Sequence, residues 1–331
     1  MLSSWLAIPS RVYRRFRGGT VPRERIHEYY AKRTDSEAQL RHEVSFAVAC
    51  GREYAENIAR ELGRPDGPAP DLSSLSVLEL GPGINFGAGL VCAMLGARVA
   101  VFDKYLVEWH EAYHPRFYRL LRTEFAAAER QFDLRVLDRV IEEGRHPTDV
   151  IETGRGDLGS GLIDFASGSF DAIVSNAALE HVADVPNLCV ELWRVTRPGG
   201  VGIHQIDFRD HSNERRPLDF LAVPDDKYAR TFVDGQGGGG NRVRPSEFRA
   251  AFGEAGFDVI RFEPNCFADG AYVEAVRPSL LPRYASLSVE ELRVVGGRIF
   301  LRRQEEEQSP DGSHGAASAP DGSRSTPLQW T

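Results

Sequence analysis

Two rhythms of apolar and polar residues alternate along this chain. Short apolar runs at Ser76–Leu80, Arg98–Phe102, Phe170–Ser175 and Val201–Ile206 read as buried strands, and a further strand is expected to run up to Gly156-Asp157. Between them apolar positions recur at helical spacing. Gly87–Leu95 follows the first strand, and Phe117–Arg130 begins after Pro115. Val185–Val195 places Val185, Leu188, Leu192 and Val195 on one face before Arg197-Pro-Gly-Gly200 breaks it. Pro245–Ala255 returns to helix, and Phe257–Phe262 and Gly297–Arg302 close the pattern as strands. This alternation predicts an α/β fold, a doubly wound and mostly parallel sheet that binds ligands at the carboxyl ends of its strands.

The flanking stretches lose this rhythm. Residues 1–70 read as an N-terminal helical cap, with Tyr54, Ile58 and Leu62 at helical spacing, ending in the linker Gly63-Arg-Pro-Asp-Gly-Pro-Ala-Pro70. Within the cap, Trp5–Arg17 carries four arginines among apolar residues, for which a weak membrane-surface contact is a second reading. Residues 71–303 form the main domain. Its segment 104–149 exceeds what a crossover helix needs and reads as an insertion. Its segment 207–244 is polar, contains Gly237-Gly-Gly-Gly240, and reads as a loop or lid. Residues 304–331 repeat Pro-Asp-Gly-Ser at 310–313 and 320–323 and read as a disordered tail.

Composition narrows the class only a little. The chain has 331 residues, 42% of them apolar and 27% charged, as in an ordinary soluble protein. A net charge of −8, half of it in the tail, gives no reason to expect a nucleic-acid partner. Cys50, Cys92, Cys189 and Cys266 lie too far apart for a metal knuckle, and they suit a reducing compartment. No apolar run approaches the roughly 18 residues of a spanning helix, so no stable membrane insertion and a cytoplasmic location are expected.

The chemistry lies at the strand ends. Gly81-Pro-Gly83 ends the first strand and lets the backbone turn sharply near a ligand, while Asp103 ends the second, where a carboxylate can accept both hydroxyls of a ribose. A dinucleotide site prefers a third glycine, but Phe86 stands there, and Glu79 would set a carboxylate near a pyrophosphate. A cationic ligand welcomes that carboxylate. S-adenosylmethionine, with its sulfonium and α-ammonium, fits the electrostatics better.

Leu78-Glu-Leu-Gly-Pro-Gly83, Val101-Phe-Asp103, Gly156-Asp157, Ser169-Phe-Asp-Ala-Ile-Val-Ser175, Leu179-Glu-His181 and Arg194-Val-Thr-Arg-Pro-Gly-Gly200 follow one another over about residues 76–206. In this order they resemble the class I, Rossmann-like S-adenosylmethionine-dependent methyltransferases, in particular the type-11-like small-molecule group. The resemblance implies a seven-stranded sheet with an antiparallel last strand. It also implies that Glu79, Gly81 and Gly83 surround the methionine part of the cofactor. Asp103 would hold the ribose, Asp157 the adenine amino group with Leu158 nearby, and Ser175 would line the pocket by its backbone. The Asn-Pro-Pro-aromatic motif of amino-group DNA and protein methylators is replaced by Ser175-Asn-Ala-Ala178, against that kind of acceptor.

The expected function is methyl transfer to a small-molecule acceptor, at an oxygen of a glycan precursor or secondary metabolite. The alternatives are an NAD-dependent oxidoreductase and a non-catalytic binding module. A hydroxyl acceptor needs a base, and the candidates are His181, His204 and His211, with Asp207 or Asp210 as the orienting carboxylate. His204, Asp207, Asp210 and His211 are also of the kind that binds a divalent metal, but none is expected. The lid's Arg209, Arg215, Arg216, Arg230, Arg242 and Arg244 read either as an anion clamp or as half of a salt-bridged face. Trp109, His110, Tyr113 and His114 of the insertion are candidates for acceptor specificity.

Overall fold

The computed structural model describes residues 36–305, except 66, 129, 159–164 and 231–239. The basic start Trp5–Arg17, most of Gly237–Gly240 and the tail beyond residue 305 lie outside the described residues.

The first described helix, α1 (Glu37–Glu61), begins where Ser36 accepts a hydrogen bond from the Gln39 N–H. Leu40, Val44, Ala47, Tyr54 and Ile58 share its buried face. Gly51 brings it close to the next helix, since a Cβ there would lie 2.5 Å from the Val91 Cβ. Strand β1 (Ser76–Leu80), helix α2 (Gly87–Met94) and strand β2 (Arg98–Asp103) form the first strand–helix–strand unit. The insertion holds α3 (His114–Phe125) and α4 (Arg135–Glu143), ahead of β3 (Ile151–Arg155). Helix α3 therefore begins and ends earlier than the expected Phe117–Arg130, with Pro115 inside its first turn, where a missing N–H costs nothing.

Strand β4 (Phe170–Asn176) leads through a 3₁₀ turn (Leu179–His181) into α5 (Val185–Val195) and the long β5 (Thr196–Asp207). Helix α6 (Asp225–Ala229) follows in the lid, then α7 (Pro245–Glu254) and β6 (Phe257–Phe267). Three short helices, α8 (Gly270–Val276), α9 (Pro282–Ala285) and α10 (Val289–Arg293), precede β7 (Val294–Arg303).

The sheet order is β3-β2-β1-β4-β5-β7-β6. β7 runs antiparallel to both β5 and β6, and the other strand pairs are parallel. Alternation along the strands separates two cores. Val77, Val101, Val174 and Ile203 face α1–α4, whereas Leu78, Phe102, Ile173 and Ile206 face α5 and α7. The lid is more than a loop. Leu218, Leu221 and Tyr228 pack with Val273, Leu280, Tyr284 and Leu292 of α8–α10 into a third apolar cluster. Leucines and a valine of this size each contribute about 1.5–3 kcal/mol when fully buried.

Candidate active site

The carboxyl edge of the sheet brings the expected cofactor residues together. Gly81 (φ +64°) and Gly83 (φ +75°) take the left-handed conformation that side chains disfavour, and the Gly81 N–H donates to the Phe102 carbonyl at 2.9 Å. A Cβ on Gly81 would lie 2.8 Å from the Ala178 Cβ, so this turn rests directly against the turn that follows β4. Beneath it Glu79 is buried, its Oε2 without a hydrogen-bond partner. Burial pushes the Glu79 carboxyl up to about 8, against a hydrogen bond from the Gly89 N–H.

Asp103 and Arg155 are register partners, which puts the ends of β2 and β3 side by side. Asp103 accepts the Tyr105 N–H at 2.7 Å, and burial raises its pKa. Asp157 pairs with Lys104 at 2.6 Å. Leu158, half-buried, packs against the core on the α5 side. The Ser175 side chain points into the molecule, its Oγ 2.9 Å from His204 Nδ1.

The histidines separate by strand parity. His204 is buried on the α7 side, its ring stacked on Phe252 at 5.8 Å, and burial lowers its pKa to about 3. It does not join His211. Asp207, of opposite parity, reaches the edge of the crevice, where the Arg209 guanidinium grips it at 2.9 and 2.6 Å and His211 Nε2 lies 3.4 Å away. His181 stands edge-on to His211, ring centroids 5.1 Å apart. Burial opposes charge on Asp207, but bonding from His211 and Arg209 outweighs it and holds the carboxyl well below its usual range. His211 is raised by the same contact in spite of burial, while burial lowers His181 to about 3.

Sequence reasoning gave Glu180 no role. It is buried against this cluster, neither carboxylate oxygen has a hydrogen-bond partner, and burial pushes it up to about 8. Its neighbours across a narrow pocket include Asp207, Phe208, Phe220, Asn241 and Arg242. Its signal in the sequence is its place inside the motif Leu179-Glu-His181. Asp210 accepts the Ser212 N–H and Oγ–H at 2.8 and 2.5 Å and organises a turn. Among the described residues no group of three or more His, Cys, Asp or Glu is arranged to hold a metal.

Four lid arginines are used internally. Arg209 pairs with Asp207, Arg216 with Asp219, Arg242 with Asp225, and Arg244 is buried on the carbonyls of Phe208 and Val294. For Arg209, Arg216 and Arg242 the salt-bridged reading holds rather than the anion clamp, and Arg244 serves backbone carbonyls instead.

The first N–H groups of α2 are also engaged by the protein. Phe86 N–H donates to Tyr118 Oη at 3.4 Å, Gly87 N–H to Asn85 Oδ1 at 3.0 Å, and Gly89 N–H to Glu79. A pyrophosphate would find these donors taken and a carboxyl behind them.

Residues 117–203 match the family model of the methyltransferase domain. Over this stretch the chain is similar to that methyltransferase domain. The matched stretch holds Asp157, Leu158, Ser175 and His181. Trans-aconitate 2-methyltransferase of Deinococcus radiodurans is 46% identical over 56 residues, 17% of this chain and 22% of that protein. Sterol 24-C-methyltransferase erg6 of Aspergillus fumigatus is 30% identical over 128 residues, 38% of this chain and 29% of that protein. The match thus spans less than a third of either curated relative. A solved S-adenosylmethionine-dependent methyltransferase from Mesorhizobium loti is 19% identical, with 75% of this chain and 96% of that one covered at a TM-score of 0.40.

The residues of this site fit S-adenosylmethionine. Glu79 is a buried carboxyl with an unpartnered oxygen under a glycine turn, and Asp103 is a second carboxyl at the next strand end. The first suits the cationic amino-acid end of the ligand, and the second suits the hydroxyls of its ribose. No described helix is long and apolar enough to cross a membrane.

Proposed function

We propose that this chain transfers a methyl group from S-adenosylmethionine to an oxygen of a small-molecule acceptor, of the glycan-precursor or secondary-metabolite kind. The observation that carries the reading is the contact of the two turns. Gly81 lies against Ala178, and His181, three residues on, faces His211 and Asp207. A cofactor turn and an acid–base cluster thereby share one crevice.

When bound, the cofactor supplies an electrophilic methyl group on a sulfonium. Glu79, Gly81 and Gly83 would hold its amino-acid part, Asp103 its ribose, and Asp157 and Leu158 its adenine, with the Ser175 backbone lining the pocket. Methyl transfer is an in-line displacement, so positioning supplies much of the rate. A hydroxyl acceptor must also lose a proton. His211 turns Nε2 toward Asp207, which favours the imidazolium, so Nδ1 is the atom that takes the proton. His181, kept neutral by burial, borders the acceptor beside it. In this reading His204 is a core residue.

The decisive test is calorimetric titration with S-adenosylhomocysteine, using NADH and Asp103→Ala as controls. Micromolar binding of the thioether alone, weakened at least about tenfold in the variant by loss of charged hydrogen bonds, is expected. Preference for NADH would support the oxidoreductase alternative and overturn the proposal, and binding of neither would support the non-catalytic module.

A further inference from the structure

The insertion lies on the cofactor turn, and three of its buried side chains reach three consecutive residues there. His110 N–H donates to His114 Nδ1 at 2.7 Å, which leaves Nε2 to donate to the Ile84 carbonyl at 3.1 Å. Asn85 Nδ2 donates to Tyr113 Oη at 3.0 Å, and the Phe86 N–H to Tyr118 Oη. Asn85 is used twice, because its Oδ1 accepts the Gly87 N–H that opens α2. Tyr113 continues the chain in the other direction, donating to Glu43 Oε2 of α1 at 2.6 Å.

Tyr113, His114 and Tyr118 are each 0% exposed. Packing alone does not explain the Tyr113 hydroxyl. The ring already stacks on Phe117 at 5.6 Å, and a phenylalanine would fill the same space. What the hydroxyl adds is a continuous path from a carboxylate on α1 to the first amide of α2, passing through the turn that follows Gly83.

We propose that Glu43, Tyr113 and Asn85 form a positioning relay, which fixes residues 84–86 in the ligand-ready conformation and makes cofactor affinity depend on the docking of α1. The aromatic residues of the insertion thereby serve the cofactor turn rather than acceptor choice. The ligand half of this inference rests on the methyltransferase reading. The relay itself does not. A turn already held in its bound shape gives up less conformational freedom on binding, so breaking a link weakens the ligand without removing any contact to it.

The test uses the full chain and three variants, Tyr113→Phe, Glu43→Leu and Glu43→Gln, with two readouts. Hydrogen exchange of the amides at residues 85–87 is followed in the ligand-free protein, and S-adenosylhomocysteine affinity is measured by calorimetry. Tyr113→Phe and Glu43→Leu should speed exchange at 85–87 and weaken affinity by about tenfold, the scale of one hydrogen bond to a charged group. Glu43→Gln keeps an acceptor oxygen and should restore both readouts toward wild type. Unchanged exchange in Tyr113→Phe overturns the relay, whether or not the ligand binds. Faster exchange with unchanged affinity overturns its link to the cofactor. Wild-type protein that binds no thioether refutes the methyltransferase reading, and the exchange data still decide the relay.

Discussion

Glu180 carries both carboxylate oxygens into the interior without a hydrogen-bond partner, and burial pushes it up to about 8. An ordinary carboxyl, as in the unfolded chain, loses its proton near pH 4.3. Between that pH and 8 the folded state keeps a proton that the unfolded state releases, so stability falls as pH rises through the window. Glu180→Gln removes the titration. Its stability relative to wild type should rise between pH 5 and pH 8 by on the order of 3 kcal/mol, read from urea unfolding at both values. An equal difference at the two pH values would show that Glu180 is not held protonated. At this scale the turn at Gly81 and Gly83 and the strand positions of Glu79 and Asp103 were legible, because a glycine turn and an acid one strand later recur at fixed spacing. Glu180 was not, since desolvation depends on Asn241, Phe220 and Arg242, residues distant in sequence.

Elements divide in the same way. Val185–Val195 appears with its expected boundaries because its apolar stripe, its start at Asp184 and its break at Arg197-Pro-Gly-Gly200 are all local. The lid is different. Its polar sequence conceals two arginines that fasten it from within. Arg242 lies 3.9 Å over the Tyr228 ring, and Arg244 donates to the carbonyls of Phe208, Leu292 and Val294. Burial lowers Arg244 to about 10. Arg244→Met keeps the packing volume but leaves those carbonyls unpaired, and should cost about 3 kcal/mol in urea unfolding. Protease should then cut more readily within residues 208–230, and an undiminished unfolding midpoint would show that Arg244 does not fasten the lid.

At the scale of the whole molecule, four of the described histidines are buried in neutral form. Burial lowers His114 to about 4 and His146, His181 and His204 to about 3. The unfolded chain takes up these protons near pH 6.5, where the folded chain refuses them. Stability must therefore fall as pH drops from about 6.5 to 4. In that window the raised Glu79, Glu180 and Asp103 act in the opposite sense. The histidines outnumber them, so a net slope of roughly 1–3 kcal/mol per pH unit is expected near pH 5, measured by urea unfolding at pH 7, 6 and 5. A flat profile would mean that the buried rings open readily to water.

By itself the sequence determined the alternation of strands and helices, and with it the mostly parallel sheet and the carboxyls on its strands. These follow from patterns a few residues long, where backbone geometry and burial act locally. Only the tertiary structure decided which candidates meet. Strand alternation already set His204 and Asp207 on opposite faces, and packing decided that His204 meets Phe252 while Asp207 meets His211. Packing of α8–α10 turned the lid from an open loop into a cap with its own apolar core. The insertion's aromatic residues were visible from the start, but what they touch was not. A hydrogen bond between Tyr113 and Asn85 spans 28 positions of sequence. The pairing of such distant groups is a property of the folded chain, because only the close packing of α1, α2 and α3 brings them within reach of one another.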